Sequence, residues 1–80
     1  MNNMIEFMSK YFIMDRNKTR IYFQNYTNNG DIYDIIVLVE NFVEMFGEAI
    51  QKAMDNNTDI MEEIRLFDPE NNLGYNDLIF

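Results

Sequence analysis

Glu40, Glu44 and Glu48 recur every fourth residue, and Asp55 falls on the same side of the helical wheel. Carboxylates in such a row can do three kinds of work. A pair can exchange protons with a substrate, a group can hold a hard cation, and the whole row can present charge to a basic partner. Proton exchange needs one acid buried enough to keep its proton near neutral pH, and these acids sit on the polar side of an amphipathic stretch. Cation binding needs oxygens at set loop positions. Asp55-Asn56-Asn57-Thr58-Asp59 places oxygens at positions 1, 3 and 5 of a calcium loop, but Ile60 stands where glycine is required and Leu66 where a bidentate Glu is required. A frame beginning at Asp68 fails in the same way, at Leu73 and Ile79. Ordinary turn chemistry accounts for both stretches.

The remaining catalytic routes lack their parts. The chain has no Cys and no His, and Ser9 is its single serine. Neither a Cys–His pair nor a Ser–His–Asp triad can be assembled, and the commonest zinc ligands are missing. Gly30, Gly47 and Gly74 are isolated, so no glycine-rich loop can cradle a phosphate. The expectation is a protein that is not an enzyme and holds neither a cofactor nor a metal.

Charge presentation is left. Like charges at this spacing cost about 0.2–0.5 kcal/mol per pair, and only Glu48 with Lys52 offers an offsetting pair. Acids every fourth residue lie about 6 Å apart along a helix, against about 3.4 Å between phosphates of one DNA strand. One row therefore carries roughly half a strand's charge density. Asp59, Glu62, Glu63, Asp68 and Glu70 are the candidates for a second row. The plainer reading of the same acids is a solvated face that confers solubility.

Net charge is −8 over 80 residues, but it is divided. Residues 1–30 hold Lys10, Arg16, Lys18 and Arg20 against Glu6 and Asp15, a net of +2, whereas residues 31–80 net −10. Most of the surface would repel phosphates, which argues against direct binding to nucleic acid or to an anionic membrane. Arg16-Asn17-Lys18-Thr19-Arg20 reads as a solvated turn rather than a phosphate site. Three Asn-x-Thr triplets, at 17–19, 25–27 and 56–58, are expected by chance among twelve asparagines. The N-terminus shows no signal-peptide pattern, and the longest apolar run, Ile35 to Val39, is far short of a membrane span. A cytoplasmic protein is expected.

The elements that would position these acids follow from periodicity. Phe42, Val43, Met45, Phe46, Ala49, Ile50, Ala53 and Met54 occupy one half of a helical wheel over residues 40–55, with the polar residues opposite. Ile32, Ile35, Ile36, Leu38 and Val39 keep the same phase, with Tyr33 and Val37 outside it, and Asp31 can cap the start. The spacing therefore predicts a mainly α domain around one long helix over about 32–55, with short flanking helices. The alternative is α+β, with a hairpin over 20–39 turning at Asn28-Asn29-Gly30 and one helix over 40–55, because Ile35-Ile36-Val37 is β-branched. The helix is preferred because its phase runs unbroken and a strand would have to enter a helix with almost no loop. Met4, Ile5, Phe7, Met8, Tyr11 and Phe12 share one face of a short helix over 3–12, and residues 20–26 fit neither period. Asn56-Asn57 ends the long helix, Thr58 or Asp59 caps a third with Glu62 as box partner, and Asp68-Pro69 stops it.

An 80-residue chain reads as a single domain over 1–80, burying only about 60–65% of its unfolded surface. Twelve aromatics and seven methionines are generous for so small a core. Leu78, Ile79 and Phe80 at the C-terminus are expected to dock on the core or on a second chain, the self-association candidate.

In size, acidity and lack of catalytic groups the chain resembles, as a class, phage-encoded inhibitors of bacterial nucleases and immunity complexes, anti-CRISPR proteins among them. No motif identifies such a family. The resemblance implies a nucleic-acid-mimicking inhibitor that occupies a basic site on a nuclease or nucleoprotein complex, binding through Glu40, Glu44, Glu48, Asp55, Asp59, Glu62 and Glu63. The alternatives are a self-associating structural or regulatory protein, and an antitoxin or adaptor that wraps a basic toxin.

Overall fold

A computed structural model describes residues 2–74. Three helices and a three-stranded antiparallel sheet follow in the order α1 (Asn2–Ser9), β1 (Ile13–Met14), β2 (Arg20–Tyr26), β3 (Ile32–Leu38), α2 (Val39–Asn56) and α3 (Ile60–Phe67). The mainly α expectation is therefore wrong, and the α+β alternative describes the chain. Residues 32–38 pair with β2 over seven positions, from Arg20 opposite Leu38 to Tyr26 opposite Ile32.

The hairpin wins for two local reasons. Its loop holds Gly30 at φ +87°, a left-handed conformation that glycine adopts freely, and the Gly30 amide donates to the Thr27 carbonyl at 3.0 Å. The Asp31 amide also donates to Thr27 Oγ1 at 3.1 Å and the Thr27 amide to the Asp31 carbonyl at 2.8 Å, so the turn is tied three times. The strand-to-helix junction then needs no loop. Leu38 stays extended, at φ −68° and ψ 133°, and supplies no side-chain cap. Instead the Val39 amide donates to the Thr19 carbonyl at 2.9 Å, which carries the β2–β3 ladder one step into the helix. One amide that a helix start ordinarily leaves without a partner is thus satisfied by the sheet.

The register divides the apolar residues of β3 differently from the helical wheel. Ile35 and Val37 face the core beside Phe23 and Ile21, while Ile32, Ile36 and Leu38 point to the outer face and are exposed. Tyr33 shares the core-side parity but is also exposed. β2, which fitted neither period, buries Ile21 and Phe23 and leaves Arg20, Gln24 and Tyr26 outside.

One core lies between the sheet and the helices. Phe12, Phe23, Phe42 and Phe46 form its aromatic centre, with ring centroids 4.9–6.0 Å apart between successive partners. Met8, Val39, Ala49, Ile50, Ala53, Ile60 and Ile64 are buried around them. Of the apolar half-wheel expected on α2, Met45 alone is exposed. α2 ends as its Asn pair predicts, with Asn57 left-handed at φ 54° and its amide donating to the Ala53 carbonyl. Leu78, Ile79 and Phe80 lie outside the described residues.

Candidate functional site

Asp59 caps α3, its Oδ1 accepting from the Met61 amide at 2.9 Å. The carboxylate that reaches back to this turn is Glu63, which accepts from Thr58 Oγ1 at 3.4 Å, in place of the Glu62 expected for a capping box. Asp55 on α2 accepts from Gln51 Nε2 at 2.9 Å. These bonds fix three of the acids without removing them from solvent.

The row on α2 is exposed at Glu40, Glu44, Glu48 and Asp55. Its members meet different surroundings. Glu40 stands with Lys18 at a crevice of about 320 Å³ floored by Ile5, Leu38 and Val43. Glu44 lies beside an open groove between β3 and α2. Glu48 lines a crevice of about 110 Å³ between α2 and α3, together with Glu63, Lys52, Leu66 and Phe67. Packing of α3 along α2 thus brings Glu48 and Glu63 to one crevice, and Glu62 is exposed on the same short helix. The acids of α3 are confined to its first turn, Glu62 and Glu63 after the Asp59 cap, and Arg65 lies in its last turn, so the second helix adds a cluster beside the α2 row and not a full second row. Lys18 and Lys52 interrupt the negative surface at each end of Glu40–Glu48.

Asp68 does not join this cluster. It is buried, and it is the only buried charged side chain among the described residues. Its two oxygens accept from the amides of Asn72 at 2.9 Å and Leu73 at 2.8 Å, so it organises the loop that leaves α3. A carboxylate near a turn residue such as Pro69 is the sequence signal for this role.

Asp15, which enters the sequence pattern only as a charge, organises a second loop. Its Oδ1 accepts from the Thr19 amide at 2.7 Å and the Arg20 amide at 2.8 Å, and its Oδ2 accepts from Thr19 Oγ1 at 2.8 Å. The Arg20 amide bond is the largest cause that holds this carboxyl below its ordinary value, with the Thr19 bonds and the Arg20 charge adding to it against some desolvation. The turn Arg16–Arg20 is thereby shaped around a carboxylate, with Lys18 left-handed at φ 59°.

Among the described residues, no three acids converge where they could hold a metal ion, and no helix is long and apolar enough to cross a membrane. No protein-family model, curated protein or solved structure matches the chain.

Proposed function

We propose that the protein acts by binding alone, setting its acidic α2–α3 face into a basic site of a nuclease or other nucleic-acid-binding complex and blocking it. The observation that supports this reading is the crevice shared by Glu48 and Glu63, where a second helix adds acids beside the row of the first. Asp59, Glu62 and Glu63 at the N-terminal end of α3 add carboxylates beside Glu48 and Asp55 of α2, a local rise in negative charge over what the α2 row alone presents. Such a face would attract a basic groove quickly and lose its hold as salt rises. The proposed setting is the cytoplasm, or the host cytoplasm if the gene is carried by a phage. Neither nucleic acid nor a membrane is the proposed partner.

The test is capture from a lysate of the native host on the tagged protein, washed at low and at high salt, beside the double variant Glu44→Lys/Glu48→Lys. Retention of a basic nucleic-acid-binding protein at low salt, its release at high salt, and its absence with the variant are expected. Capture that ignores both salt and charge reversal would contradict the proposal.

A further inference from the structure

The open edge of β3 carries its own docking geometry. β3 has β2 on one side and, among the described residues, no strand on the other. The Thr27 amide bonds the Asp31 carbonyl and the Val39 amide bonds the Thr19 carbonyl, so the odd-numbered residues of β3 direct their backbone groups to β2. Alternation then turns the N–H and C=O groups of Ile32, Asp34 and Ile36 and the N–H of Leu38 toward the open side, the Leu38 carbonyl belonging to the start of α2. Isolated proteins usually blunt such an edge with lysine, proline or a bulge. This one has none of the three, Asp34 is the single charge on the strand, and its pairing with β2 is unbroken over all seven residues.

The surroundings fit a copy of the same strand. A groove of about 700 Å³ runs beside the edge, lined by Ile36, Val37, Leu38, Asn41, Glu44 and Met45. An antiparallel second β3, related by a two-fold axis at Ile35, sets Ile32 opposite the copy's Leu38 and Asp34 opposite its Ile36, with both outward groups of Ile32, Asp34 and Ile36 and the Leu38 amide available for pairing. The same register sets Tyr33 opposite the copy's Val37, on the groove side. Tyr33 is 44% exposed and Met45 is 39% exposed, so each chain holds both the protruding ring and the groove that receives it.

The area is adequate. Seven residues make an edge about 24 Å long, and one sheet layer with one helix layer is about 20 Å tall. That strip is on the order of 500 Å² per chain, and a pair would bury about 1,000 Å², where specific interfaces begin. We propose that two copies of this chain pair through β3 to form a continuous six-stranded sheet, with Tyr33 of each lodged in the β3–α2 groove of the other. The surface differs from the one expected at Leu78–Phe80, and the inference does not depend on the acidic-face reading. Salt separates the two: pairing of chains that each carry −8 should hold or tighten as salt rises, whereas docking of the acidic face should weaken.

Sedimentation equilibrium of the full chain at low and at high salt is the test, with three substitutions and a chain lacking Leu78–Phe80. Ile36→Pro removes an outward amide and leaves the bonds to β2 in place. Tyr33→Ala empties the groove at an exposed position that the fold tolerates. Ile13→Lys alters the far edge. The wild type and Ile13→Lys should both sediment at twice the chain mass. Ile36→Pro and Tyr33→Ala should each raise the dissociation constant about tenfold or more, and at a concentration where both are monomeric the Tyr33→Ala thermal midpoint should stay near that of the wild type. A monomeric wild type would overturn the proposal. So would a dimer that Tyr33→Ala leaves intact, or one that disappears only when Leu78–Phe80 are removed.

Discussion

Asp15 and Asp68 do the same work at two points of the chain. Each carboxylate collects backbone amides that a tight loop would otherwise leave without partners. For Asp68, which is buried, replacement by Ala strands two amides, and Asp68→Ala should lower unfolding stability by about 2 kcal/mol in urea titration. For Asp15 the prediction concerns pH. Its folded pKa lies below the ordinary 3.8, so the carboxylate's contribution is fully present above that value and is lost as pH falls through the folded one. Asp15→Asn should therefore lower the urea midpoint at pH 7, and the gap to the wild type should narrow as pH drops below 3.8. A gap unchanged between pH 7 and pH 3 would show that the bonds, and not the charge, hold the turn.

At the scale of elements, Gly30 decides the hairpin. Nothing lies within 4 Å of a Cβ built there, so the cost of Gly30→Ala is purely conformational, about 1–2 kcal/mol for a left-handed residue. Thermal unfolding of that variant should show the loss. An unchanged midpoint would mean that the loop relaxes without its positive φ. The same hairpin marks the limit of what periodicity reveals. The helix over 40–55 was legible because its apolar and polar halves separate cleanly, and its end at Asn56 and Asn57 was legible from turn chemistry. The segment 32–38 was not, because Ile32, Ile35, Ile36 and Leu38 satisfy the helical phase while being apolar on both faces of a strand. Seven backbone pairs to β2 settle a contest that side-chain spacing leaves even, and the Thr19–Val39 bond removes the need for the loop that spacing demanded. The acid row on α2 could be read from sequence, since i, i+4 spacing survives any packing. Its meeting with Glu63 could not, because it depends on how α3 folds back on α2. Nor could the fate of Asp68, whose two oxygens turn inward to the backbone.

Across the whole molecule, two unlike surfaces are set apart. The α2–α3 layer carries exposed acids, and the outer face of the sheet carries Ile13, Tyr26, Ile32, Ile36 and Leu38 in the open. Both follow from size: a chain of 80 residues has too small an interior for all its apolar side chains, while the acids of α2 and α3 stay at the surface. The acidic surface suits a basic partner and the β3 edge a copy of the chain; Glu44 borders both, and the two proposals are told apart by their opposite responses to salt. Competition tests the first most directly. The basic protein captured at low salt is mixed with its own nucleic acid, labelled, and the present protein is titrated in. The account predicts displacement of the label, and roughly no displacement by Glu44→Lys/Glu48→Lys at the same concentration. A ternary complex that retains the labelled nucleic acid would contradict it.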